Sequence, residues 1–211
     1  MSDSPVVYVL DDDSAVRESI EWLLSAEGLT PKLFADAPSL LAALGADTPG
    51  CVVADLRLPG MSGLEVLDAM KDRGLLQPVL FITGHGEVGA AVQAMRNGAI
   101  DFLEKPFSDE LLLSRVREAL RLDQAQRDDR ARRARVIARL ARLTPREREV
   151  MHHVVRGRLN KQIAADLGLS HKTVEVHRAH VMEKTTARSL AELVRMAVLV
   201  EPKPEPAALA N

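Results

Sequence analysis

Apolar residues along the chain follow two periodicities, and the pattern changes near its middle. In the first half, short unbroken apolar runs alternate with stretches whose apolar positions recur every three or four residues. Val6 to Leu10 is the first run; it ends in Asp11, Asp12 and Asp13, after which Ser14 is placed to cap a helix through Ile20, Leu23 and Leu24. Further strands are expected around Lys32 to Phe34 and at Cys51 to Ala54, Pro78 to Thr83 and Asp101 to Glu104. Helices are expected around Ser39 to Leu44, from Leu64 to Lys71 and from Val88 to Arg96, the last ended by Asn97 and Gly98. Ser108 caps one more, with Asp109 and Glu110 in its first turn. Five such β-strand and α-helix units predict an α/β fold, a doubly wound, parallel, five-stranded sheet.

After Leu120 the periodicity fades through Asp123 to Arg135 and resumes with Ile137, Leu140 and Leu143. No Gly or Pro interrupts this segment, so it reads as a solvated helical extension and semi-rigid spacer over residues 122–141. Thr144-Pro145-Arg146-Glu147 is then a capping box that opens a helix to Val155, closed by Gly157. Asn160 and Lys161 begin a short helix bearing Ile163, Ala164 and Leu167 on one face; Gly168 ends it, and Ser170 caps a third helix. A short helix, a tight glycine turn and a longer helix make a helix-turn-helix. Ser189 to Glu192 is a second capping box before a last helix with Leu193, Met196, Ala197 and Val200. The expected division is therefore residues 1–121, a linker 122–141, an all-α four-helix domain 142–200 and a tail 201–211. Three alternating prolines predict disorder for that tail.

Charge separates the same regions. Residues 1–120 carry 9 Lys/Arg against 19 Asp/Glu, a balance of -10, whereas residues 121–142 carry 8 against 3 and residues 143–200 carry 10 against 6. The acidic half repels nucleic acid and the basic half can bind it. No run approaches membrane-spanning length and the first residues lack the pattern of a signal peptide, so the cytoplasm is the expected location. The single cysteine, Cys51, lies within a strand and excludes an internal disulfide.

Parallel α/β sheets bind ligands at the carboxyl ends of their strands. Here those ends present Asp11, Asp12 and Asp13, then Asp55, Thr83 and Lys105. Clustered carboxylates call for a divalent cation, and a hard Mg²⁺ accepts carboxylates, water and phosphate oxygens. With the charge neutralised, Asp55 can attack phosphorus as a carboxylate nucleophile while Lys105 and the Thr83 hydroxyl hold the transferred oxygens.

At these residues the first half resembles the receiver domain of response regulators, a flavodoxin-like fold. The matching pieces are Val9-Leu-Asp11-Asp12-Asp13, Asp55-Leu-Arg-Leu-Pro59-Gly60-Met61-Ser-Gly63, Ile82-Thr83-Gly-His85 and Phe102-Leu-Glu-Lys105-Pro106-Phe107. The resemblance implies that Asp55 accepts the phosphoryl group, that Asp11 and Asp12 form the acid pair, and that the backbone carbonyl of Arg57 completes a Mg²⁺ site with Asp55. Asp13 is then a spare acid. It further implies that Thr83 and Phe102 form a switch pair, that Lys105 binds the phosphoryl group, and that the Lys105-Pro106 bond is cis.

In the second half, stepping 100° per residue along the third helix puts Val174, Arg178 and Val181 on one arc. Lys172, Glu175, Val176, Ala179 and Glu183 fall on the other, which would face a DNA major groove. This half resembles the four-helix DNA-binding domain of the NarL/FixJ (LuxR-type) regulators, nearest the FixJ branch. Leu143 to Glu149, Asn160-Lys161-Gln-Ile-Ala164 and Thr173-Val-Glu-Val-His177 carry the resemblance. It implies that Glu175, Val176 and Ala179 face bases and that Asn160, Lys161, Lys172, Thr173 and His177 lie near phosphates. Arg178 is expected to pack its stem while its guanidinium reaches a phosphate. His152/His153 and His177/His180 lack further zinc-type ligands in sequence, so a metal is not expected there.

Together these resemblances imply a two-component response regulator that receives its phosphoryl group from a sensor histidine kinase, dimerises through the receiver and binds double-stranded promoter DNA. RNA polymerase is a further implied partner, and activation is the family's tendency. Catalysis is limited to transfer onto its own aspartate and its hydrolysis. A dehalogenase-type phosphatase would need an acid two residues after Asp55, where this chain has Arg57. A constitutive DNA binder that uses its receiver only as an interaction module is the alternative.

Overall fold

A computed structural model describes residues 5–84 and 88–200 of the chain. His85 and the tail therefore lie outside the described residues. The chain forms two compact units, residues 1–127 and 128–211, divided within one long helix.

In the first unit the elements are β1 (Val6–Leu10), α1 (Ser14–Ala26), β2 (Thr30–Phe34), α2 (Ala37–Ala43), β3 (Cys51–Asp55), α3 (Gly63–Asp72), β4 (Val79–Thr83), α4 (Val88–Arg96), β5 (Asp101–Glu104) and the start of α5 (Asp109–Leu140). The five strands are parallel in the order β2-β1-β3-β4-β5. Alternate side chains of each central strand enter opposite cores. Tyr8, Leu10, Val52, Ala54, Val79 and Phe81 pack with α2, α3 and α4, while Val7, Val9, Cys51, Val53, Leu80 and Ile82 pack with α1 and α5. Burial on both faces explains why these strands read as unbroken apolar runs rather than alternating ones. Each fully buried aliphatic contributes about 1.5–3 kcal/mol relative to exposure. Pro31 is accommodated because β2 is an edge strand. The order reverses between β1 and β3, which opens a crevice between the ends that carry Asp11 and Asp55.

Two local expectations are corrected. The N-cap of α1 is Asp13, whose carboxylate accepts the Ala15 N–H at 2.8 Å; Ser14 is already helical. Asp13, the acid left over from the expected pair, thus caps the helix. The extension after Leu120 is indeed helical, α5 running unbroken for 32 residues, but it is not solvated throughout. Asp123 is 4% exposed, accepts the Gly50 N–H at 3.1 Å and pairs with Arg127. Gly50 has φ +126°, and a Cβ there would lie 2.3 Å from the Val6 carbonyl oxygen, so only glycine can present that N–H.

The second unit adds α6 (Pro145–Val155), α7 (Asn160–Leu167), α8 (His171–Thr185) and α9 (Leu190–Val200) to the last turns of α5. Its single core joins Val136, Leu140, Val150, Val154, Ile163, Val174, Val181, Leu193 and Met196. Thr144 and Glu147 form the expected capping box of α6. Gly168 closes α7 with φ +65°, and the Ser170 hydroxyl accepts the Thr173 N–H at 3.0 Å. The box expected at α9 is only half formed: the Ser189 hydroxyl accepts the Glu192 N–H, but the Glu192 carboxylate takes the Arg188 N–H instead. Thr185 is fully buried, its hydroxyl donating to the Val181 carbonyl at 2.6 Å, and Thr186 ends α8 at φ +56°. Among the described residues no helix is long and apolar enough to cross a membrane.

Candidate functional site

Three strand ends far apart in sequence converge on one lysine. Lys105, after β5, places its ammonium 2.6 Å from Asp55 Oδ2 and 3.1 Å from Asp11 Oδ2. The remaining oxygens are also oriented: Asp55 Oδ1 accepts the Arg57 N–H at 2.7 Å, and Asp11 Oδ1 accepts the Asp13 N–H at 2.9 Å. Asp11 is 2% exposed, whereas its neighbour Asp12 is exposed at the mouth. Burial raises the Asp11 pKa, opposed by the Asp13 N–H and by Lys105. Burial pulls the Lys105 amine down, but its hydrogen bonds to Asp55 and Asp11 outweigh this and its pKa is raised. The Lys105-Pro106 bond is cis.

Thr83 is buried at the end of β4, with its hydroxyl donating to the Gly84 carbonyl at 3.3 Å. Phe102 on β5 is half-buried against the core that contains Phe81 and Ala94. Two residues without an expected individual role shape this pocket. Arg17, one turn into α1, donates to the Asp11 carbonyl at 2.7 Å and holds the acid-bearing turn. At Gly63 a Cβ would lie 2.7 Å from the Asp55 carbonyl and 2.8 Å from the Phe81 ring, so α3 can begin this close to Asp55 only with glycine. Gly63 was legible as part of the loop motif; Arg17 carried no sequence signal, because its partner is a backbone atom.

The donor set fits a hard cation. Asp11 and Asp55 bring two carboxylates against the single ammonium of Lys105, leaving one acid uncompensated when both are ionised. Nearby, Val92 and Met95 on α4 and Leu111 on α5 are exposed, beside an ion pair at 2.7 Å between Asp101 of β5 and Arg115 of α5.

On α8 the two arcs expected from helical phase are observed. Val174 and Val181 are buried, while Lys172, Glu175, Val176, Ala179 and Glu183 are exposed. Arg178 does not reach freely outward; it donates to Asn160 Oδ1 at 2.8 Å, tying α8 to the start of α7. Lys161 is exposed, Thr173 is engaged with the Ser170 hydroxyl, and His177 is half-buried. The fold also brings a third metal-type ligand to the histidines, since ligand atoms of Glu147, His177 and His180 lie within 4.8 Å of one another. Both Glu147 oxygens, however, already accept the Lys184 ammonium at 2.7 Å, and one takes the Thr144 N–H at 2.8 Å. Those bonds, Lys184 first, hold the Glu147 pKa at about 2 and leave no surplus charge for a cation.

The comparisons with known proteins follow the same two units. A sequence profile of the response regulator receiver domain matches residues 7–117, and one of bacterial regulatory proteins of the luxR family matches residues 141–197. The transcriptional regulatory protein FixJ of Bradyrhizobium diazoefficiens is 46% identical over 192 residues, covering 91% of this chain and 94% of that one. FixJ of Azorhizobium caulinodans is 48% identical over 199 residues, 94% of each chain. Among solved structures, the response regulator StyR has TM-score 0.83 at 39% identity over 92% of this chain and 98% of its own. Full-length FixJ from B. japonicum has TM-score 0.59 at 45% identity, covering 93% and 97%. An acid crevice at the ends of a five-stranded parallel sheet, followed by a helix-turn-helix with an exposed polar arc, thus has full-length relatives that share both units in the same order. The chain belongs to the response regulators that join a receiver to a LuxR-type DNA-binding domain, and it regulates transcription within a two-component system.

Proposed function

We propose that the chain accepts a phosphoryl group on Asp55 from a sensor histidine kinase and then binds promoter DNA as a dimer. The observation that carries this is the convergence of Asp11, Asp55 and Lys105 from three separate strand ends. One Asp55 carboxylate oxygen attacks phosphorus, an O–P bond forms, and the N–P bond to the kinase imidazole breaks. Asp11, Asp12, Asp55 and the Arg57 carbonyl would hold Mg²⁺, which when bound neutralises charge on the acids and the phosphoryl oxygens. Lys105 exchanges a carboxylate oxygen for a phosphoryl oxygen, which removes its ion pair with Asp55. The Thr83 hydroxyl leaves the Gly84 carbonyl for another phosphoryl oxygen, and Phe102 turns into the space vacated. Their movement biases the face of α4, β5 and α5, whose exposed Val92, Met95 and Leu111 suit pairing of two receivers.

In the paired state two α8 helices enter successive major grooves. Glu175, Val176 and Ala179 meet base edges; Lys161, Lys172, Thr173 and His177 lie towards phosphates. Asn160 and Arg178 act as a pair, the amide aiming the guanidinium at the backbone. The chain works in the cytoplasm, turns over no substrate beyond its own acyl phosphate, and activates transcription by RNA polymerase.

Intact mass and sedimentation of the wild type and Asp55→Asn, each with Mg²⁺ and a small acyl-phosphate donor, test this. A gain of one phosphoryl group and dimer formation in the wild type alone is expected. No gain in a folded wild type, with DNA bound equally by both proteins, would instead favour a constitutive DNA binder.

A further inference from the structure

One buried acid of the first unit takes no part in the phosphoryl pocket and lies towards the other end of the sheet. Asp123 of α5, 4% exposed, accepts the Gly50 N–H at 3.1 Å and meets the Arg127 guanidinium at 3.2 Å, and both contacts fall on Oδ2. Among the described residues its Oδ1 takes no hydrogen bond. A carboxylate oxygen left without a donor at that depth is destabilising, and a donor brought by a ligand relieves it.

Asp123 helps to line an open cavity of about 1030 Å³ at the amino ends of β1 and β3, beside the edge strand β2. Val6, Pro49 and Leu120 give it an apolar wall. Lys32 and Arg121 are exposed cations on its rim. The Lys32 ammonium sits 5.6 Å from the centre of the Tyr8 ring, and Arg121 donates to the Arg117 carbonyl of its own helix at 3.3 Å. With Asp123 set against Arg127, these two cations are a surplus without a carboxylate partner among the described residues.

This lining asks for an N–H donor and an anion in one molecule. An anion alone leaves Asp123 Oδ1 unmet, and a cation alone is repelled by Lys32 and Arg121. The volume is on the scale of sites that enclose whole small molecules, roughly 300–1,000 Å³, and an amino acid fills little of it. A duplex is disfavoured because the first 120 residues carry a balance of -10. A nucleotide meets all of these conditions, with an apolar base face, an exocyclic amine and phosphates.

We propose that this cavity binds a nucleotide, its base amine donating to Asp123 Oδ1 and its phosphates held by Lys32 and Arg121. Bound there, the ligand bridges β2, the loop before β3 and α5 beyond Leu120, and fastens that stretch of α5 to the sheet. The site shares no residue with the Asp55 crevice, so it stands or falls apart from phosphoryl transfer.

The test titrates full-length protein calorimetrically, in metal-free buffer, with the triphosphates of guanosine, adenosine, cytidine and uridine, with the free nucleosides and with inorganic pyrophosphate. Uridine has no amine and serves as the control base. At least one amine-bearing triphosphate should bind below about 1 mM, about tenfold more tightly than uridine triphosphate, pyrophosphate or its own nucleoside. Lys32→Ala with Arg121→Ala should weaken it about tenfold, whereas Arg135→Ala with Arg139→Ala, the same charge change in the second unit, should leave it within twofold. Asp123→Asn should also weaken it about tenfold while β1 keeps its amide-exchange protection; if that variant does not fold, the surface pair and the uridine comparison decide. Absence of binding by every triphosphate overturns the proposal, as does equal loss in the two arginine-containing pairs. Pyrophosphate or uridine triphosphate binding as tightly as the others overturns it too and makes the rim an anion contact only.

Discussion

Each unit of this molecule sets a lysine against buried carboxylate, and the two clusters differ in whether their charges close. Lys184 meets one acid, Glu147, which also accepts the Thr144 N–H of its own capping box and lies 3.5 Å from His180 Nδ1. Both oxygens of that acid are engaged, and the pair joins α8 to the start of α6. Lys105 meets two acids, Asp11 and Asp55. Burial raises the pKa of Asp11, whereas the contacts of Glu147 hold it at about 2. Similar residue types thus produce a structural clasp where charge balances and a reactive pocket where it does not. The imbalance is costly in the absence of ligand, which supports the proposal that a ligand binds here.

Equivalent substitutions test that contrast most sharply. Lys105→Ala should slow phosphoryl gain from an acyl-phosphate donor about a hundredfold, the scale for losing one donor to transition-state charge. Lys184→Ala should leave that rate within twofold in an intact-mass time course. Equal slowing by both would erase the distinction.

On stability the order reverses. Glu147→Gln should lower the unfolding free energy of the second unit by about 1–2 kcal/mol, through the weakened cap and lysine contact. Amide exchange along α8 should report it while β1 and β3 stay protected. The same carboxylate sets an acid limit. Its pKa is about 2 in the folded chain against 4.5 as the model value for a free glutamate, so its contribution is complete above about pH 4.5 and is lost as the pH falls towards 2. Exchange protection of α8 should fall through that window in the wild type and change less there in Glu147→Gln. The smallest effect expected is from Mg²⁺. At a concentration several times its dissociation constant it should stabilise the receiver by about 1 kcal/mol and leave the second unit unchanged. Asp11→Asn should remove the shift; an equal rise in both units would mean that the open pocket is not where the ion acts.

The strands were legible because both faces of a parallel sheet are buried, so Val6 to Leu10, Cys51 to Ala54 and Pro78 to Thr83 stand out as apolar runs ending in polar residues. The arcs of α8 were legible because a helix rotates side chains by a constant angle. The half-formed box at Ser189 was not, since which backbone N–H a glutamate reaches depends on the path of the preceding turn. Nor was Asp123, which looks like one more acid in a polar helix and is buried where Gly50, just before β3 and 73 residues away, donates its N–H to it.

By itself, then, the order of residues determined the element types, the two-unit organisation and the acids and lysine at the strand ends, because periodicity and chain order act locally. Only the tertiary structure decided which charges meet. It sent Lys105 to two acids and Lys184 to one, and placed Glu147 against His180. Coulomb energy depends on distance and burial in space, and sequence separation fixes neither.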